Sequence, residues 1–426
     1  MRVLVVGATG LIGSAVCARL RVDGHDVIGA VRPGTPRQSP TFVEIDVAKA
    51  TDASDWKSPL EGVDAVVNCA GVLQRGPSES PEAVHFTGIA TLFRACEAQG
   101  IRRVIHFSAI GVDRGAVSEF SESKMAGDQA LMALDLDWVI LRPSVVLGRA
   151  AFGASALMRG LAALPVLPVM PDSGSLQVVA LDDVVDTVAF FLAPDAPTQA
   201  VLELAGPERL SFEAIVAEYR QWLGWKPARR IELPRLIGNA LYLMGDLAGL
   251  FGWRPAMRTT ARIEIVRGAV GDLSAWHEMT GISPRTFAQA LAAEPASVQE
   301  RWFAKLYFLK PLVFLAYALF WIVTGIVSLG PGWNIGMNLM TGAGAGTLSA
   351  PGVAAGALAD IAIGLTILYR PTALWGLYAA LALSSFYLVA GTILMPELWR
   401  DPLGSVLKIF PFVALNLVAL AMLKER

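Results

Sequence analysis

An α/β domain with a doubly wound parallel sheet, followed by an all-α bundle of four membrane-spanning helices, is the fold the sequence predicts. Three observations carry that expectation. Short apolar runs alternate with helical stretches through roughly the first half of the 426 residues. A glycine-rich loop, GATGLIG, follows the first run directly. The charge is unevenly spread: residues 311–426 hold 5 of the 35 Lys and Arg and 4 of the 37 Asp and Glu, although 54% of the whole chain is hydrophobic. The first part has the composition of a mildly acidic globular protein, and the last part that of a membrane segment.

The elements follow in order. VLVV at 3–6 leads into a helix over 11–22 that stops before Gly24. Strands are expected at DVIGAV, VEID and AVVNCA, then a helix over 82–99, strand RVIHFS, a helix over 121–134 and strand WVILRP. Strands joined by helical crossovers form a parallel, Rossmann-type sheet with helices on both faces. Ligands of such sheets bind at the carboxyl ends of the strands.

The first of those ends is GATGLIG, which contains Gly7, Thr9, Gly10, Leu11, Ile12 and Gly13. Gly7 permits a tight turn, Gly10 lets backbone N–H groups approach a pyrophosphate, and Gly13 lets helix and strand pack closely. The loop therefore predicts a dinucleotide site. The next strand ends in Ala30, Val31 and Arg32 instead of the Asp or Glu that bonds the ribose of NAD. A guanidinium suits a 2′-phosphate, so NADP(H) is expected before NAD(H).

Composition excludes other classes. No basic excess points to nucleic acid. The cysteines Cys17, Cys69 and Cys96 lack CxxC or Cys/His spacing and the histidines lie far apart, so neither a metal site nor a disulfide framework is expected. MRVLVVGATG reads as strand and loop rather than as a signal peptide.

GATGLIG, Asp46-Val47, NCAG at 68–71, HFSAIG, the Phe120/Lys124 pair, LRPSVVLG, LDDVVD and LAGPERLSFEAI occur in this order over about residues 1–225. Together they resemble the extended or atypical short-chain dehydrogenase/reductase superfamily, the epimerase-like branch. The resemblance implies that Asp46 and Val47 lie near the adenine and that Ala70 and Gly71 line the cofactor's path. It also implies a Tyr-x-x-x-Lys pair with a Ser or Thr, in which the tyrosine exchanges a proton and the lysine holds the nicotinamide ribose. Here Phe120 stands at the tyrosine position and Ala109 at the Ser/Thr position, beside Ser108. Lys124 and Ser108 remain as catalytic candidates, but the usual proton donor is missing. Atypical members without the tyrosine include both reductases and the cofactor-binding accessory subunit of respiratory complex I.

Residues 226–300 are expected to form a helical cap or membrane-proximal region, in which Arg254, Arg258 and Arg262 recur every four residues as on one helical face. Residues 301–426 follow with spans near 311–329, 353–369, 371–395 and 403–423, each able to cross about 30 Å of hydrocarbon. Arg301, Lys305, Lys310, Arg370, Lys424 and Arg426 flank one side, against Arg400 and Lys408 on the other. The positive-inside rule then places the N-terminal domain and the C-terminus on the cytoplasmic side of a cell inner membrane. Asp360 and Lys408 are expected at similar depth, as an ion pair.

The stretch ALADIAIGLTILYRPTA resembles the DoxX-like family of four-helix membrane proteins, some linked to quinone or thiol redox chemistry. Two functions follow. One is a membrane-bound NADP(H)-dependent oxidoreductase acting on a hydrophobic substrate such as a quinone. The other is a nucleotide-binding structural or redox-sensing module without turnover.

Overall fold

The structure is a computed structural model; it describes residues 1–35, 41–75, 80–114, 118–170 and 173–423. Lys424 and Arg426, counted among the flanking cations, lie outside the described residues. The chain divides into two compact units: one of Met1–Asp246 with Pro255–Ala304, the other of Leu247–Arg254 with Lys305–Arg426.

In the first unit, strands β1 (Arg2–Val6), β2 (Asp26–Val31), β3 (Phe42–Glu44), β4 (Ala65–Asn68), β5 (Arg103–Phe107) and β6 (Asp137–Pro143) build the predicted sheet. Three short strands follow, β7 (Val145–Leu147), β8 (Val166–Val169) and β9 (Val178–Ala180), and then β10 (Ala200–Leu204), which adds an edge that the sequence reading missed. The order is β10-β6-β5-β4-β1-β2-β3, and every pair in it is parallel. Val3, Leu4, Val5 and Val6 are all fully buried, because a strand covered on both faces needs apolar side chains on both. Helices α1 (Leu11–Val22), α2 (Gly88–Ala98) and α3 (Glu119–Met132) supply crossovers. A single turn of π-helix, Ala83–Thr87, leads into α2.

The rest of this unit carries α4 (Gly153–Ala162), α5 (Leu181–Phe191) and α6 (Phe212–Trp222). Strand β11 (Arg229–Glu232) pairs with β8. Next come α7 (Arg235–Leu250), α8 (Thr259–Arg267), α9 (Ser274–Thr280), α10 (Phe287–Ala293) and α11 (Val298–Leu306). The predicted arginine face does not form: Arg254 lies between helices and Arg258 is the extended N-cap of α8, so of the three only Arg262 lies on that helix.

The second unit holds α12 (Leu309–Leu329), α13 (Trp333–Gly342), α14 (Ser349–Leu368), α15 (Ala373–Leu394) and α16 (Ile409–Leu423). Three segments, Leu309–Leu329, Gly346–Leu368 and Ala373–Leu394, are long and apolar enough to cross a membrane, with mean hydropathies of 2.3, 1.7 and 1.8. The fourth expected span is a helix of 15 residues, because a turn at Asp401–Gly404 precedes it. Asn416 ties the bundle from α16, donating to the Tyr317 hydroxyl on α12 at 2.9 Å and to the Leu377 carbonyl on α15 at 3.0 Å. The expected Asp360–Lys408 pair is absent. Asp360 is buried and accepts from the Tyr387 hydroxyl at 3.3 Å, whereas Lys408 is exposed in the turn before α16 instead of lying inside it.

Candidate functional site

The cleft is built at the carboxyl edge of the large sheet, where the glycine loop leaves β1. Gly7 has φ +78°, the left-handed region that side chains avoid, and a Cβ there would lie 2.9 Å from Cys69 and Ala70 backbone atoms. A Cβ on Gly13 would lie 2.2 Å from the Gly7 carbonyl oxygen, so this pair sets how closely α1 meets the loop. The Gly7 and Ala8 amides donate to the Ala30 carbonyl at 3.3 and 3.4 Å, which joins the loop to the end of β2. Gly10 is the N-cap of α1 and no side chain bonds the amides there. Thr9, Leu11 and Ile12 stand around that helix start, where the dipole and unpaired N–H groups favour an anion. This cradle fits a pyrophosphate.

Arg32 and Asp46 lie at the same edge, since β2 and β3 are paired and the Ile45 amide donates to the Val31 carbonyl at 2.8 Å. Asp46 caps a short turn by accepting from the Ala48 amide at 3.2 Å, and Val47 follows in that turn.

Ala70, Gly71 and Lys124 meet at the ends of β4 and β5. Lys124, on α3, is only 4% exposed, and its ammonium donates to the carbonyls of Phe107 at 2.8 Å and Ala70 at 3.3 Å. Burial pulls its pKa down to about 8, against the opposing attraction of Asp128. A Cβ on Gly71 would lie 3.5 Å from Lys124 Nζ and 3.6 Å from His85 Nε2, so both groups border the path beside Gly71.

His85 was missed by the sequence reading, and the only available signal was its place just before FTGIA at the start of the α2 crossover. Its Nε2 accepts from the Val72 amide at 2.9 Å, so the proton sits on Nδ1, which faces Ser123 Oγ at 2.9 Å. Burial, reinforced by Lys124 and His106, holds it well below the ordinary histidine range and therefore neutral. The Phe120 ring stands edge-on to it, centroids 5.4 Å apart.

Ser108 does not open onto this path. Its hydroxyl donates to Asp128 at 2.9 Å, within a buried network in which Arg142 Nε and Nη2 donate to the same carboxylate at 3.1 and 3.0 Å. Asn68 Nδ2 donates to His106 Nδ1 at 3.0 Å, which leaves His106 Nε2 3.4 Å from Asp128. Burial pushes the Asp128 carboxyl upward, but His106, Ser108 and Arg142 outweigh it and hold the group below its ordinary value. Asp128→Asn costs about 1–3 kcal/mol, because it removes the buried carboxylate that Ser108, His106 and Arg142 face, while Arg142 keeps its pair with Asp113. The readout is a fall of roughly 2–10 °C in the thermal midpoint of this unit. An unchanged midpoint would show that the network adds no net stability.

Residues 7–160 match the family model described as NAD(P)H-binding. Residues 318–417 match that of the DoxX-like family. The chain couples an NAD(P)-binding domain to a DoxX-like domain. Among curated relatives, a protein of Mycobacterium tuberculosis described as uncharacterized is 28% identical over 282 residues, covering 64% of this chain and 31% of its own length. The chain thus spans about a third of the first of these relatives. The ceramide reductase of Caulobacter vibrioides is 25% identical over 236 residues, 54% of this chain and 73% of that protein. Among solved structures, the Bordetella bronchiseptica enzyme WbmG in complex with NAD is 17% identical with a TM-score of 0.55, covering 72% of this chain and 96% of that one. UDP-glucuronic acid 4-epimerase from Bacillus cereus, in complex with UDP-glucuronic acid and NAD, is 21% identical with a TM-score of 0.52, covering 72% and 100%. At these identities the structures establish the epimerase-like fold. The N-terminal domain thus combines an epimerase-like fold with an NAD(P)H-binding family match, and the DoxX-like match covers the region whose three helices are long and apolar enough to cross a membrane.

Proposed function

We propose that the protein is a membrane-anchored oxidoreductase that uses NADP(H) to reduce a lipid-soluble substrate such as a quinone, with Lys124 as proton donor in place of the missing tyrosine. The observation that supports this most directly is the buried ammonium of Lys124 beside Gly71, with its pKa pulled down to about 8. A group that holds a proton at neutral pH and releases it slightly above is suited to general-acid work.

In this reading the loop from Gly7 to Gly13, with Thr9, Gly10, Leu11 and Ile12, holds the pyrophosphate, and Arg32 takes the 2′-phosphate. Asp46 and Val47 border the adenine, while Ala70 and Gly71 line the way to the nicotinamide. The bound cofactor supplies a hydride. Lys124 gives a proton to the substrate oxygen that becomes a hydroxyl, and the resulting amine regains a proton from water. His85 stays neutral and fixes the backbone after Gly71 through its bond from the Val72 amide. Ser108 acts on the site only through Asp128 and the fold.

A lipid-soluble substrate accords with the DoxX-like bundle and with similarity to a relative named for ceramide, a lipid. We place residues 1–225 as the cofactor domain, 226–300 as a cap and 301–426 as the membrane domain. The first and the C-terminus lie on the cytoplasmic side of a bacterial inner membrane, where NADP(H) is made. Cations Arg301, Lys305, Lys310 and Arg370 on one side, against Arg400 and Lys408 on the other, support that orientation.

A second reading, a nucleotide-binding module without turnover, is favoured by Phe120, which has no proton to give. Cofactor choice is tested by calorimetry of the purified chain in mild detergent. The wild type binds NADPH at least about tenfold more tightly than NADH, and Arg32→Asp reverses the order, a change of roughly 1.4 kcal/mol or more each way. Equal affinities in the wild type would contradict the role given to Arg32.

A further inference from the structure

We infer that α7 is an interfacial helix whose outward apolar face lies in the lipid bilayer surface. Seven large apolar side chains on it are exposed: Leu236, Ile237, Leu241, Leu243, Met244, Leu247 and Leu250. At about 100° per residue they occupy one continuous half of the helix circumference. The opposite face holds the buried residues Gly238, Tyr242 and Gly245.

Polar groups are turned away from that half. Asp246, the only carboxylate in the helix, is at the side, where it accepts from Arg258 Nε and from the Thr259 amide, both at 3.2 Å. Arg262 stacks over the inward Tyr242 ring at 5.8 Å. A half-circumference of Leu, Ile and Met without a charge is an interaction surface rather than a solvated one.

The occupant follows from where the helix ends. Its last residues, Leu247–Leu250, belong to the second unit together with the segment that follows, up to Arg254. Within that unit, Trp253 Nε1 donates to the Leu368 carbonyl at 2.7 Å, at the end of the apolar helix α14. The Arg370 amide donates to the Phe251 carbonyl at 2.9 Å, and the Arg370 guanidinium lies 5.7 Å over the Trp253 ring. Tryptophan and arginine at the end of a span mark the membrane–water interface. The C-terminal end of α7 is thereby fixed at headgroup level. With 16 residues the helix measures about 24 Å, too short to cross a hydrocarbon core of about 30 Å. Its outward face meets lipid only if the helix lies along the surface. This holds whether or not the nicotinamide site turns over.

The test is spin labelling of the full chain reconstituted in phosphatidylcholine/phosphatidylglycerol vesicles. Single cysteines replace Leu236, Leu243 and Leu247, with Lys57→Cys as an exposed control away from the face, and the unsubstituted chain serves as blank for its own Cys17, Cys69 and Cys96. Oxygen relaxes the three α7 labels several-fold more than a water-soluble nickel chelate does, and the order reverses at position 57. Chelate access at positions 236, 243 and 247 equal to that at 57 would overturn the inference, since the face would then be in water. Exclusion of both agents at all three would also overturn it, in favour of a second copy of the chain covering the face.

Discussion

Lys124→Met lowers nicotinamide-dependent turnover by about 10²–10⁴-fold, the range that removal of a general acid produces. The pH dependence identifies the cause. A lysine whose pKa burial has pulled down to about 8 carries its proton below that value and loses it above, so the wild-type rate falls as pH rises through about 8. The residual rate of Lys124→Met has no such step. Phe120→Tyr leaves turnover within a few-fold, because the added hydroxyl meets a site in which His85 is already neutral and bonded at both ring nitrogens. A large gain with tyrosine would mean an impaired conventional enzyme. A wild-type profile flat from pH 6 to 10 would remove Lys124 as donor.

Gly13→Val weakens nucleotide binding by roughly 10- to 100-fold. Its Cβ would stand 2.2 Å from the Gly7 carbonyl oxygen and 2.9 Å from the Gly7 carbonyl carbon. Both are backbone atoms and cannot rotate away, so α1 or the loop must shift by about an ångström. Overpacking of this kind costs about 1–3 kcal/mol. Where the strained loop is itself the phosphate cradle, the cost appears as a loss of roughly 10- to 100-fold in nucleotide affinity by calorimetry. Wild-type affinity in Gly13→Val would show that the loop does not hold the pyrophosphate.

The sheet was legible because parallel strands covered on both faces read as continuous apolar runs, and β1, β2 and β6 sit where VLVV, DVIGAV and WVILRP place them. Strand β10 was not read out, because its five residues carry Glu203 and only its last, Leu204, falls in the LAGPERLSFEAI stretch that the resemblance singled out. The glycine loop was readable because its residues are contiguous. The Asn68–His106–Asp128–Arg142 network and the Lys124–His85–Gly71 grouping were not, since their members come from different strand ends and meet only in three dimensions. In the membrane region apolar length located three helices. It overstated the fourth, where Asp401 accepts from the Leu403 amide and Gly404 turns with φ +67°. The four-residue spacing of Arg254, Arg258 and Arg262 predicted a helical face, but Gly252 and Pro255 interrupt the chain between α7 and α8.

The central claim is turnover at a cofactor site that has no tyrosine, in a chain that also carries a DoxX-like domain. The measurement that tests it most directly uses the full chain purified in mild detergent, with its bound nucleotide released and identified by mass. NADPH oxidation is then followed with a short-chain quinone, for the wild type and for Lys124→Met. The account predicts NADP(H) in the released fraction, quinone-dependent oxidation by the wild type, and its loss in Lys124→Met. Stoichiometric bound nucleotide with no oxidation above the quinone-free blank would contradict it and leave a binding module.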